Sequence, residues 1–172
     1  MKLGKTMIYK INNILLIFIL ISTLSCKSQV DYDYIDCKES FDVNNQLFKK
    51  DCFHNGKIES MLYYDLKGNQ IEVCANPDRQ AEIFNNNDSL YNDFISRNIE
   101  YPNCEGEGRF YIALLIDEEG IALEKRIVKD IPGGCIGFAE STMKLIDKLP
   151  KWKPAEKKGQ KVKCLKIISV KF

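Results

Sequence analysis

The spacing of six cysteines indicates which cysteine chemistry this chain could have. The chain has seven in all, and Cys26 belongs to an N-terminal segment considered next. None of the other six forms a Cys-x-x-Cys pair, which disfavours a structural zinc site and a thioredoxin-like redox motif. In an exported protein an even number favours disulfides, but sequence alone does not choose among their pairings. The six are Cys37, Cys52, Cys74, Cys104, Cys135 and Cys164.

The N-terminal segment ends at Cys26 and has the composition of an export signal. Three lysines precede an unbroken apolar run over residues 14–21. That run is shorter than the roughly 20 residues of a membrane-spanning helix, so residues 1–25 are predicted to be a signal peptide. The end of this segment, with a serine directly before Cys26, resembles a bacterial lipobox, in which the cysteine is lipidated. Thr23 stands where the lipobox usually has leucine, and an ordinary signal peptide or an uncleaved anchor is the alternative.

The remaining reactive side chains form no catalytic motif. His54, the only histidine, falls in a predicted turn, and Ser141 lacks the Gly-x-Ser-x-Gly context of a nucleophile elbow. Trp152 is predicted to anchor the core beside a helix rather than to serve as a ligand platform. Without residues 1–25 the chain has 22 basic against 24 acidic residues, a net charge of −2, which disfavours nucleic acid as a partner. We expect no enzyme activity, no cofactor and no metal.

The first part of the mature chain is predicted to be a tether followed by a small sheet. Residues 26–45 are predicted to be the tether that links the lipid to the folded part, because residues 27 to about 40 are polar. Residues 46–75 are predicted to form a three-stranded β-meander with a hairpin at Asn55-Gly56, because both residue types tolerate positive φ. The stretch from Asn55 to Asn69 resembles one MORN-like repeat. Such a unit is marginal alone, so we expect it to pack on its neighbour or to be pinned by a cysteine.

Residues 80–172 alternate between helical and strand patterns. Residues 110–117 are apolar on both faces, which predicts a central strand. Pro150 should end the helix before it. The predicted order is a helix ending near Asn98, strands over 110–117 and 122–128, a helix over 138–149 and a last strand over 162–172.

This order resembles the TonB C-terminal domain family, in particular the variants found in Bacteroidetes lipoproteins. The segment between Tyr101-Pro102 and the first strand is shorter than is usual in that family. We expect neither the inner-membrane helix nor the Pro-rich linker of TonB itself, so the resemblance concerns the binding module and not energy transduction. The matching residues are Asn98-Ile99-Glu100-Tyr101-Pro102, Glu107-Gly108-Arg109, Asp117 to Gly120, Leu149-Pro150-Lys151-Trp152-Lys153-Pro154, Gly159 and Lys171-Phe172.

The resemblance implies an α+β module with a three-stranded antiparallel sheet, in the order second, first and third strand, packed by helices. The last strand would lie at an edge with unpaired N–H and C=O groups and would add an extended peptide from a receptor, the TonB box. Tyr101 and Pro102 would either touch this guest strand or form a packing corner. Lysines along the strand would either prevent self-pairing or simply be solvated. The implied partner-binding residues of the strand are Val162, Lys163, Cys164, Leu165, Lys166, Ile167 and Ile168.

One disulfide is predicted from the position of two cysteines on the predicted hairpin. Cys104 lies just before its first strand and Cys135 just after its second, at the same end of the sheet. Cys164 is instead predicted to be a small buried residue of the last strand.

The sequence therefore predicts a lipid-anchored protein of the cell envelope, at the periplasmic face of the outer membrane. Its module would bind a TonB-box-like peptide of an outer-membrane receptor that serves transmembrane transport, or another envelope protein. A structural or assembly lipoprotein that keeps the fold without binding a TonB box is the alternative. A secreted enzyme is the least favoured of the three hypotheses.

Overall fold

The computed structural model of the protein describes residues 36–103, 106–131 and 135–172. They form a mixed α+β fold of antiparallel sheets and two helices, α1 (Asp88–Asn98) and α2 (Ile136–Asp147). Neither of these described helices is long and apolar enough to cross a membrane. The predicted signal peptide, Cys26, Cys104 and the tether up to residue 35 lie outside the described residues. The strands are β1 (Asp36–Phe41), β2 (Leu47–His54), β3 (Lys57–Tyr64), β4 (Gln70–Val73), β5 (Arg109–Ile116), β6 (Ala122–Lys129), β7 (Ala155–Lys157), β8 (Gln160–Val162) and β9 (Cys164–Lys171).

Strands β1 to β4 form a four-stranded sheet in chain order, one strand more than the sequence predicts. The hairpin between β2 and β3 turns at Asn55 and Gly56, which both have positive φ as predicted. The additional strand, β1, lies within the predicted tether. Its mostly polar, exposed sequence has no apolar alternation to reveal it. It is held instead by its ladder with β2 and by a disulfide between Cys37 and Cys52, which are directly opposite in register.

The second sheet has three antiparallel strands in the order β6-β5-β9, which is the predicted order. Its central strand, β5, is buried from Ile112 to Ile116. Side chains alternate along a strand, so a strand that is apolar on both faces must be covered on both sides.

Two apolar cores cover the two faces of β5. Ile112 and Leu114 belong to the core on the helix side, which includes Phe138 and Leu145 of α2. Ala113 and Leu115 belong to the other core, with Phe48, Tyr63 and Val73 of the four-stranded sheet. The small N-terminal sheet therefore packs on its neighbour, as its marginal size led us to expect.

A buried polar network also joins the two sheets. The side chain of Arg126 on β6 is 3% exposed, and its Nε lies 3.6 Å from Oδ2 of Asp42, whose side chain is fully buried. Arg126 also pairs with Glu124 at 3.1 Å, and Glu124 accepts a hydrogen bond from the hydroxyl of Tyr63. Because the partners come from both sheets, this network joins the two sheets in addition to the apolar core between them.

The end of the chain differs from the single predicted strand over 162–172. Strands β7 and β8 form a separate hairpin around Lys158 and Gly159, and β9 begins only at Cys164. Trp152, in the loop before β7, is 4% exposed in the helix-side core, so it is a core anchor as predicted. The backbone N–H of Trp152 donates to the carbonyl of Gly120 at 2.9 Å, which links this loop to the β5–β6 turn.

Candidate functional site

Strand β9 lies at one edge of the three-stranded sheet, where the described residues place no further strand beside it. Gly108 and Phe172 exchange two backbone hydrogen bonds, of 3.3 and 3.0 Å, just beyond the paired residues Arg109 and Lys171. Bonded and non-bonded pairs alternate along an antiparallel ladder. The even-numbered residues of β9 therefore direct their N–H and C=O groups toward β5. The odd-numbered residues direct theirs outward: Leu165, Ile167, Ser169 and Lys171.

Two contacts within the chain occupy the ends of this outward-facing edge. The N–H of Cys74 donates to the carbonyl of Lys163 at 2.9 Å, and the hydroxyl of Tyr91 donates to the carbonyl of Ser169 at 3.1 Å. Between them, the outward-facing groups of Leu165 and Ile167 have no hydrogen-bond partner among the described residues. We call these two residues the open edge.

Tyr91 reaches Ser169 because an unusual turn sets the start of α1. Phe84, Asn85 and Asn86 all have φ between 52° and 54°, a left-handed conformation that asparagine tolerates but phenylalanine rarely adopts. The turn brings the Phe84 ring to 6.5 Å from that of Tyr91. Burial raises the pKa of Tyr91 to about 12, so its hydroxyl stays protonated and available as a donor.

An exposed apolar side chain and a group of opposite charges lie near the open edge. Ile167 is 46% exposed, although it lies on a strand. Lys166 lies on the helix side near Glu82, whose pKa is lowered mainly by its hydrogen bond with Lys153 and to a smaller extent by Lys166. An extended segment laid along this edge would therefore meet the apolar side chain of Ile167 and, on the helix side, Lys166 with Glu82 near it.

The predicted partner-binding residues of the last strand occupy different environments. Val162 belongs to β8, where it pairs with Ala155 and not with the sheet. The carbonyl of Lys163 is already bonded by Cys74. Leu165 and Ile167 alone in this set present free outward main-chain groups. Three others direct their main chain toward β5: Cys164, Lys166 and Ile168.

Tyr101 and Pro102 lie near the C-terminal end of β9 rather than beside the open edge. Tyr101 is 70% exposed and its ring contacts that of Phe172 edge-on at 5.9 Å. Pro102 packs so closely on Gly137 that a Cβ added there would lie 2.7 Å from the Cβ of the proline. This arrangement fits the packing corner that the sequence left as one of two alternatives.

Only one of the two cysteines in the predicted Cys104–Cys135 disulfide belongs to the described residues. Cys135 is disulfide-bonded, while Cys104 lies outside the described residues, so the pairing stays a prediction. Cys164 is a buried free thiol of β9, as predicted.

A second concave surface lies at the opposite edge of the sheet, with a cavity of about 610 Å³. Trp152 and the end of α2 line it together with Leu66, Ile121 and Leu123, which are more than half exposed. Sequence reasoning missed this groove because Leu66 and Ile121 lie in separate turns that only the packing of the two sheets brings together.

No protein-family model matches the sequence, and neither a curated protein nor a solved structure matches the chain. The resemblance to the TonB C-terminal domain family therefore stays a prediction.

Proposed function

We propose that this chain is a non-enzymatic, lipid-anchored protein of the cell envelope whose strand β9 binds an extended peptide by β-strand addition. The partner would be a TonB-box-like segment of an outer-membrane receptor. The observation that carries the proposal is the open edge, because Leu165 and Ile167 offer outward N–H and C=O groups without a partner among the described residues. Unpaired strand edges bind extended segments through their main chain.

The element order also supports this proposal. In the described residues, α1, β5, β6, α2 and β9 occur in the order that the resemblance to the TonB C-terminal domain implies, with the β7–β8 hairpin between α2 and β9, and β9 lies at the edge of the sheet. Ile167 would contact an apolar side chain of the guest, and main-chain hydrogen bonds would supply most of the affinity.

A guest strand longer than the open edge would have to displace contacts at both ends. Extension toward Ser169 requires release of the Tyr91 hydroxyl, and extension toward Lys163 requires release of the Cys74 N–H. Each of these bonds contributes about 1 kcal/mol. We therefore expect weak binding of the free peptide, in the range of roughly micromolar to millimolar.

A non-enzymatic role accords with the environments of the only histidine and of the serine considered as a nucleophile. His54 is exposed at the end of β2. Ser141 is buried in α2 and donates its hydroxyl hydrogen to the carbonyl of Glu100, so it is held as a structural donor.

The same two end contacts also favour the second candidate, a structural or assembly lipoprotein of the envelope. In that case Tyr91 and Cys74 would protect the edge from any partner, as natural edge strands are commonly protected. The two candidates differ in one property, which is whether Leu165 and Ile167 acquire partners when a receptor peptide is present.

Peptide titration with proline variants separates these candidates. The soluble chain from residue 27 onward should be used, because residues 80–172 alone would expose Ala113 and Leu115 of the core between the sheets. Receptor N-terminal peptides should shift the backbone NMR signals of Leu165 and Ile167. Ile167→Pro removes an outward donor without breaking a bond to β5, so it should abolish binding and leave the fold intact, while Ile167→Val should bind normally.

Lys166→Pro serves as the contrasting variant, because its N–H faces β5 in this register. It should lower the free energy of unfolding by about 1 to 3 kcal/mol, because a carbonyl of β5 loses its donor, whether or not peptide binds. If no receptor peptide shifts these signals up to about millimolar concentration, the structural lipoprotein becomes the better hypothesis.

A further inference from the structure

Two free cysteines lie on adjacent backbone segments where the end of β4 meets the start of β9. Cys74 directly follows β4, and Cys164 is the first residue of β9. The Cys74 N–H donates to the carbonyl of Lys163, the residue before Cys164, at 2.9 Å. The two cysteines therefore lie on adjacent backbone segments although they are far apart in the sequence.

The residues next to the two cysteines show which way their side chains are directed. Val73 and Leu165 both contact the core between the two sheets. Because side chains alternate along an extended chain, Cys74 and Cys164 are both expected to point away from that core. Cys164 is 1% exposed in the helix-side core. Burial raises the pKa of its thiol, and Cys74 contributes to this rise to a smaller extent.

We propose that Cys74 and Cys164 form a disulfide that joins the two sheets when the protein meets a small-molecule disulfide oxidant. Cys74 is half-buried and is the more accessible of the two. As a thiolate it attacks one sulfur of the oxidant, forming a mixed disulfide and releasing one reduced thiol. Cys164 then loses its proton and attacks the Cys74 sulfur, and the second oxidant thiolate leaves. Two electrons pass from the protein thiols to the oxidant, and the two thiol protons end on its two reduced halves.

This disulfide would covalently fix one end of the open edge. The Cys74 N–H would be held on the carbonyl of Lys163, so a guest strand could not extend in that direction. Formation of the bond does not depend on the proposed peptide binding, and its test uses no peptide.

The test is mass mapping of the full chain after oxidation. Protein purified without reductant is incubated with oxidised glutathione, its remaining thiols are blocked with iodoacetamide after unfolding, and it is digested with trypsin without reduction. We expect a fragment in which residues 68–79 are joined to residues 164–166, lighter by two hydrogens than the separate peptides. Cys74→Ser and Cys164→Ser are the matched controls, and neither should yield this fragment.

Three results would overturn the proposal, and wild-type protein alone can give each of them. Both cysteines could be recovered alkylated, Cys74 could retain glutathione without closing onto Cys164, or either cysteine could be joined elsewhere. A reducible increase in the urea midpoint of the oxidised wild type, absent from Cys74→Ser, would support the proposed bond.

Discussion

Replacement of Arg126 by methionine should weaken the attachment between the two sheets. The Asp42 side chain is fully buried, its Oδ2 lies 3.6 Å from Nε of Arg126, and this oxygen has no hydrogen-bond partner among the described residues. Removal of one member of a buried ion pair costs about 3 to 5 kcal/mol, because the other charge is left uncompensated. The Oδ1 of Asp42 keeps backbone hydrogen bonds from Asn44 and Gln46 at 2.9 Å. We therefore expect the lower end, about 3 kcal/mol.

Urea unfolding followed by the fluorescence of Trp152, the only tryptophan, measures this change. Combining Arg126→Met with Asp42→Asn should recover about 1 to 2 kcal/mol relative to the sum of the single variants. Lys125→Met is the matched control on the same strand, because Lys125 pairs with a largely exposed Asp147; it should change stability by less than about 1 kcal/mol. A loss below about 0.5 kcal/mol for Arg126→Met, or strict additivity in the cycle, would refute the coupling of the sheets through this pair.

Three further predictions concern the β5–β6 turn at Gly120, the pH dependence of stability through Glu82, and lipid anchoring through Cys26. Gly120→Ala should destabilise the protein by about 3 kcal/mol or more in thermal unfolding, because φ is 82° and the new Cβ would lie 1.9 Å from the carbonyl oxygen of Trp152. Gly159, with φ of 75° and open space around it, is the control, and Gly159→Ala should lose only about 1 kcal/mol of stability. Equal losses in the two variants would contradict the close approach of Gly120 to Trp152. The hydrogen bond with Lys153 lowers the pKa of Glu82 below 4.5, so the ionised Glu82 stabilises the fold above that pH and this stabilisation is lost as the pH falls through the lowered pKa. Lys153→Met should therefore flatten the decline in unfolding free energy between about pH 5 and 3. An unchanged slope would show that the pair is not coupled to folding. Cys26→Ala should move the protein from alkaline-washed membranes into the soluble fraction, whereas retention of both forms in the pellet would exclude lipid anchoring through Cys26.

The element order was predictable wherever burial leaves a periodic pattern. The apolar faces of β5 predicted a central strand, and the strand order β6-β5-β9 is the predicted one. Strand β1 was not predictable, since its polar residues are held by a ladder and by the Cys37–Cys52 disulfide rather than by apolar burial. The start of β9 was also misplaced, because Val162 continues the apolar pattern while pairing with Ala155 in another hairpin.

The candidate site was predictable only as a strand, not as an edge with particular free groups. Which residues face outward depends on the phase set by the Gly108–Phe172 bonds, which no sequence pattern encodes. The contact of Tyr91 with Ser169 depends on the left-handed turn before α1. The run of asparagines over residues 85–87 was the one available signal for that turn.

Amide hydrogen exchange along β9, with and without a receptor N-terminal peptide, tests the central claim most directly. In the free protein the amides of Lys166 and Ile168 should be protected by their bonds to β5, whereas those of Leu165 and Ile167 should exchange at least roughly tenfold faster. A saturating peptide should slow exchange at Leu165 and Ile167 by roughly tenfold or more and leave Lys166 and Ile168 unchanged. Unchanged exchange at Leu165 and Ile167 in the presence of every receptor peptide, or full protection of both amides in the free protein, would contradict strand addition at this edge.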